Sequence, residues 1–146
     1  MKKLINQPAD YVKEYLQGFA LAHQNIVVLN NDPLFIRRKT LRTNKVAIVS
    51  GGGSGHEPAH VGFVGQGMLD AACAGQVFTS PVPNQIAATI NAVTSDLGTL
   101  LIVKNYQGDI MNFEIAAEMV SSPLAMVVVN DDVSAPNNED ARGIAG

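Results

Sequence analysis

A chain of 146 residues that is 47% hydrophobic and 16% charged has enough apolar side chains for one buried core and too few charges for a disordered segment. Its formal net charge of −3 points away from the broad basic face that tracks nucleic-acid phosphates. A lone cysteine, Cys73, excludes an internal disulfide, and no run of about 18 apolar residues is available to span a membrane.

The start, MKKLINQ, breaks into polar residues and lacks the apolar stretch of a signal peptide, so the expected compartment is the cytoplasm. Pro8 suits a first helical turn, and Val12, Leu16, Phe19 and Ala20 recur behind it at helical spacing, which predicts a helix from Pro8 to Ala22. NIVVL (25–29) and LFIRR (34–38) are short strands separated by Asn-Asp-Pro, a turn signal. KVAIVS (45–50) reads as a buried strand that stops at a run of glycines. MLDAACAG (68–75) fits either state; its Cys73, among small residues, reads as a buried hydrophobe, and QVF behind it is an extended piece. Pro83 opens a second helix through Ile86, Ile90 and Val93. TLLIVKN (99–105) is a buried strand, DIMNFEIAAEMVSS (109–122) a third helix with Met111, Ile115, Met119 and Val120 facing inward, and LAMVVVN (124–130) a last strand. APNNEDARG (135–143) reads as polar loop. The alternation predicts an α/β fold: a mostly parallel or mixed sheet flanked by helices, with a glycine-rich loop at the C-terminal end of one strand and the two early strands at an edge.

Three strands run out into polar loops: Ser50-Gly-Gly-Gly-Ser-Gly-His56, Lys104-Asn-Tyr-Gln-Gly-Asp109 and Asn130-Asp131-Asp132. Parallel strands bring such exits to one sheet edge, where open α/β sheets bind ligands. A small polar ligand touching His56, Lys104 and Asp109 is therefore expected. The glycines suit a backbone that approaches an oxygen-rich ligand, but no Gly-Lys-Ser/Thr follows, so the run is not a P-loop. Asp109 stands where an aspartate either caps a helix or serves a ligand, and both readings stay open. Asn130, Asp131 and Asp132 suit turn and capping roles better than a metal site.

His56-Glu57-Pro58-Ala59-His60 also matches the H-E-x-x-H pattern of zinc peptidases. That chemistry needs both histidines on one continuous helix, and Pro58 between them disfavours it. His56 is then free to face a ligand, whereas His60 is expected to be structural.

At these residues the chain resembles a known family. GGGSGHEPAHVGFVGQGMLDAACAGQVFTSP (51–81), IVKNYQGDIMNFE (102–114), VVVNDDV (127–133) and KKLIN near the start closely resemble the substrate-binding subunit of dihydroxyacetone (glycerone) kinases. The resemblance implies an α/β domain that binds dihydroxyacetone and positions it for phosphoryl transfer. Gly52 and Gly53 would give backbone contacts, His56 a hydrogen bond, Lys104 a further contact, and Asp109 would take the proton of the reacting hydroxyl; His56 and Asp109 are the catalytic pair. It implies no cofactor or metal on this chain. ADP or ATP with magnesium is expected on a nucleotide-binding partner subunit or a fused domain, the former recharged by a phosphotransferase-system protein. A homodimer is expected for the full-length protein, with no direct nucleic-acid or membrane binding.

Family members are longer and carry a second α/β domain, so residues 1–146 correspond to the N-terminal part of the binding domain. Their later histidine forms a hemiaminal with the substrate ketone. His23, His56 and His60 are the histidines here, and none matches it, so this chain alone is not expected to trap the ketone. Where the family has two adjacent arginines before a glycine, this chain has Ala141-Arg142-Gly143. That keeps an alternative in view: a dihydroxyacetone-binding coactivator in transcription control. A zinc hydrolase and an unrelated nucleotide-binding enzyme are the remaining alternatives.

Overall fold

The computed structural model describes residues 3–132. Pro8 opens a single 3-10 turn, Pro8–Asp10, that runs into helix α1, Tyr11–Ala22. Val12 and Leu16 bury its inner face. The hairpin β1 (Val27–Asn31) and β2 (Leu34–Arg38) turns at Asp32-Pro33. Then come β3 (Ala47–Ser54), β4 (Ala71–Val77), α2 (Pro83–Asn91), β5 (Thr99–Lys104), α3 (Gln107–Glu118) and β6 (Leu124–Val129).

The six strands form one sheet in the order β1-β2-β4-β3-β5-β6. β3 pairs in parallel with β4 and β5, and β5 with β6, while β2 runs antiparallel to both β1 and β4. The mixed α/β sheet and the place of the two early strands at one side of it agree with the expectation. Alternation along the strands divides the core. Ala47, Val49, Ala71, Cys73, Leu101 and Val103 face α2 and α3. Ile36 and Ala72 face α1 and the 3-10 turn Val61–Phe63 on the other side. Buried Asp70 ties three strand regions together: its carboxylate accepts from Arg38 Nη1 at 2.9 Å, from the Ile48 backbone N–H at 2.8 Å, and from Lys45 Nζ.

Three sequence readings change. Residues 71–77, ambiguous in sequence, are a single strand. Gly51, Gly52 and Gly53 are not loop but the last stretch of β3, paired with Cys73, Ala74 and Gly75 of β4. A glycine in a strand interior marks a place where other atoms come close, and two of these positions build the site described below.

The third change concerns α3, which starts at Gln107 and ends at Glu118, and whose inner face is Asp109, Phe113 and Ala116. Met111, Ile115 and Met119 point outward at 56%, 43% and 49% exposure, while Val120, beyond the helix, is half-buried against the core. Apolar residues at i, i+4 and i+8 lie on one helix face whichever way it points, so spacing alone could not select the buried side. The segments 135–143 and Ala141-Arg142-Gly143 lie outside the described residues. No described helix is long and apolar enough to cross a membrane.

The rotation of α3 is directly testable. Phe113→Ala removes a fully buried ring and should cost about 3–5 kcal/mol in urea denaturation, whereas Met111→Ala and Ile115→Ala should each stay below about 1 kcal/mol. Equal losses at the three positions would return the helix to the orientation read from sequence.

Candidate functional site

The chain leaves β3 towards β4 on one side, and leaves β5 towards β6 on the other. The carboxyl ends of the adjacent strands β3 and β5 therefore bound a topological switch point, the usual ligand crevice of an open α/β sheet. A cavity of about 310 Å³ lies there, lined by Gly53, His56, Phe78, Ser80, Lys104, Tyr106 and Asp109. Its size is at the small end for small-molecule sites.

Lys104 is the last residue of β5 and is only 2% exposed. Its ammonium lies 3.8 Å from Asp109 Oδ2, longer than a direct hydrogen bond, and 5.2 Å from the centre of the Tyr106 ring. Burial lowers the pKa of Lys104, and the Asp109 charge opposes that shift. Space for the ammonium comes from Gly52: a Cβ there would sit 2.6 Å from Lys104 Cε, 2.7 Å from its Nζ and 2.8 Å from His60 Cε1. Gly53 admits the chain after β4 in the same way, because a Cβ would meet the Thr79 nitrogen at 2.7 Å.

Asp109 is the third residue of α3. Tyr106 holds the N-cap position, and no side chain caps the helix there. The capping alternative is thereby removed: the carboxylate is buried and turned to Lys104. Its second oxygen, Oδ1, is buried without a hydrogen-bond partner among the described residues. A buried polar oxygen left unsatisfied is costly, and this one belongs to a residue that lines the cavity.

Residues 57–60 form turns, not a helix. The two histidines of the H-E-x-x-H match consequently differ in setting. Half-buried His56 faces the cavity, stacked on Tyr106 at 6.1 Å and edge-on to Phe78 at 5.3 Å. Desolvation lowers its pKa, followed by the Lys104 charge, against weaker opposing effects of Asp109 and Glu57. His60 is 6% exposed, lines a separate one-water-sized void, and has its Nε2 unpaired. Burial, then Lys104 and His56, push it down to about 3. Among the described residues no cluster of three or more His, Cys, Asp or Glu is placed to hold a metal.

Of the residues singled out in sequence, Gly53, His56, Lys104 and Asp109 line one cavity. Gly52 does not line it; it makes room for Lys104. The third polar exit, Asn130, Asp131 and Asp132, does not line it either. The exit of β4 does, through Phe78 and Ser80. Sequence reasoning missed these because β4 itself was not recognised as a strand; the turn residues Thr-Ser-Pro behind Val77-Phe78 were the available signal.

A family model described as the Dak1 domain matches residues 17–146. The dihydroxyacetone-binding subunit of the PTS-dependent dihydroxyacetone kinase of Lactococcus lactis is 48% identical, across 99% of this chain and 46% of its own length. A crystal structure of the dihydroxyacetone kinase of C. freundii superposes with a TM-score of 0.91 at 46% identity, covering 99% of this chain and 28% of that one. A dihydroxyacetone kinase operon co-activator also superposes, with a TM-score of 0.78 at 36% identity over 84% of this chain and 38% of its own. The chain thus spans less than half the length of each of these relatives.

The depressed pKa of His60 makes stability depend on pH. The unfolded chain takes up a proton as pH falls through 6.5, whereas the folded chain resists until about 3. The stability held by neutral His60 is complete above 6.5 and drains away below it. Between pH 7 and 5 the loss should be about 2 kcal/mol, with His56 adding in the same direction. Urea denaturation at the two pH values measures it, and His60→Asn should flatten the dependence. A wild-type stability unchanged between them would contradict the burial of a neutral imidazole.

Proposed function

The chain belongs to the Dak1 domain family, and from that premise we propose that it binds dihydroxyacetone and holds it for phosphorylation to dihydroxyacetone phosphate by a partner subunit or domain. On this reading residues 1–146 are the N-terminal part of the binding domain. The observation that carries it is the meeting of an imidazole, an ammonium and a carboxylate on one cavity. A triose offers two hydroxyls and a carbonyl to those three groups.

The roles follow from chemistry. Lys104 donates to substrate oxygen and compensates Asp109. Half-buried His56 has a lowered pKa and is largely neutral near pH 7, so it exchanges a hydrogen bond with a hydroxyl in either direction. Asp109 Oδ1 accepts the proton of the terminal hydroxyl as that oxygen forms its bond to phosphorus, while the phosphorus–oxygen bond to the donor breaks and its electron pair leaves with the donor. Fixing the triose in line with the donor lowers the entropic part of the barrier.

A magnesium nucleotide does not fit this donor set. Mg²⁺ prefers carboxylates and phosphate oxygens with water, but the carboxylate of the cavity already faces a buried ammonium. We therefore assign the nucleotide to the partner.

In the full-length protein, Asp109→Asn should keep dihydroxyacetone binding, measured by calorimetry, and lower turnover with a phosphoryl-donor subunit by roughly 100–10,000-fold. Near-normal turnover would remove Asp109 from the proton-accepting role. Intact binding with no turnover in the full-length wild-type protein would instead favour the coactivator branch. Gly52→Ala forces the Lys104 ammonium aside and should weaken binding by about 10-fold or more; unchanged affinity would show that the ammonium does not touch the triose.

A further inference from the structure

Phe78 is exposed at 72%, yet it carries the one positive φ, 50°, among the described non-glycine residues. An aromatic residue adopts that backbone only where its surroundings impose it, and such strain gathers at functional sites. The bend is imposed from two sides. The Phe78 N–H donates to the Ser54 carbonyl at 2.8 Å and the Thr79 N–H to the Gln76 carbonyl at 2.9 Å. Gly53 lies so close that a Cβ there would meet Phe78 Cα at 2.9 Å. The ring does not fill the core. It lies over Gly55, where a Cβ would come within 3.0 Å of its Cε1 and Cζ, and it presents its edge to His56 at 86°. Tyr106 stacks on the same imidazole at 27°.

We propose that Phe78 is a positioning residue: with Tyr106 it grips the His56 imidazole at the cavity and sets the orientation in which that ring meets the substrate hydroxyl. This deepens the functional reading above and rests on it. A structural role in the core is a poor account of a ring this exposed. A role through His56 accounts for the strained bend; Gly55, whose own φ of +109° calls for glycine, leaves the ring room to lie there.

Phe78→Gly separates the two. Glycine adopts the bend without strain, so the melting temperature should hold or rise while the His56 ring loses one wall. Three readouts are expected in the 146-residue chain. The His56 ring-proton resonances should move towards those of an unstructured histidine as the ring current disappears. The His56 titration midpoint should rise towards its ordinary value as burial is relieved, with Lys104, Asp109, Glu57, His60 and Tyr106 still around it. The dissociation constant for dihydroxyacetone should weaken by about 10-fold or more. Phe78→Tyr keeps the ring and should restore all three. Unchanged His56 resonances and unchanged affinity in Phe78→Gly would overturn the proposal. If the wild-type chain does not bind dihydroxyacetone, the functional reading falls, and the His56 resonances still decide whether Phe78 holds that ring.

Discussion

An ammonium buried at the end of an interior strand must be met by an anion and given room. Burying an ion costs several kcal/mol unless a partner compensates it, and Lys104 is 2% exposed. The anion is Asp109, on the first turn of α3. Turning that carboxylate inward fixes the roll of the whole helix, so Phe113 and Ala116 follow it into the core and Met111, Ile115 and Met119 are left outside. The room is Gly52, on the neighbouring strand. One ion pair thus couples the end of β5, the orientation of α3 and the bare backbone of β3.

The same pair sets the charge state around the cavity. The Lys104 charge reinforces burial in lowering the pKa of both His56 and His60. With both imidazoles neutral near pH 7, the cavity lining carries one positive and one negative charge. A neutral polyol enters that setting without upsetting the balance. A phosphorylated product brings further negative charge towards Asp109, and like charges at close range in a partly buried site repel.

Much of this was legible in the sequence because it rests on local patterns. Short apolar runs gave the strands, Pro8 and Pro83 marked helix starts, and Pro58 alone disposed of a helical H-E-x-x-H site. The strand exits brought His56, Lys104 and Asp109 together through topology. What was not legible depends on partners distant in the chain. The glycine run looks like a loop until β4 and β5 are seen to flank it. The inward face of α3 cannot be chosen without knowing that Lys104 is buried, since the stripe of Met111, Ile115 and Met119 scores better by hydrophobicity. Phe78 reads as the continuation of a strand, and only coordinates reveal that its backbone has turned over.

A buried lysine beside a cavity that suits a ketone invites another chemistry, attack of the neutral amine on the carbonyl. Burial lowers the pKa of Lys104 and favours that direction. The ion pair counts against it. If Lys104 loses its proton to solvent, Asp109 is left as an uncompensated anion in a buried site, a state that costs about 3–5 kcal/mol when a partner is removed. If the proton passes instead to Asp109, the amine becomes nucleophilic but the carboxyl can no longer accept a proton from a hydroxyl. Amine catalysis and carboxylate-assisted phosphoryl transfer are therefore mutually exclusive uses of the same pair. The proposed use of Asp109 as proton acceptor requires the ion-paired form, with the proton kept on Lys104.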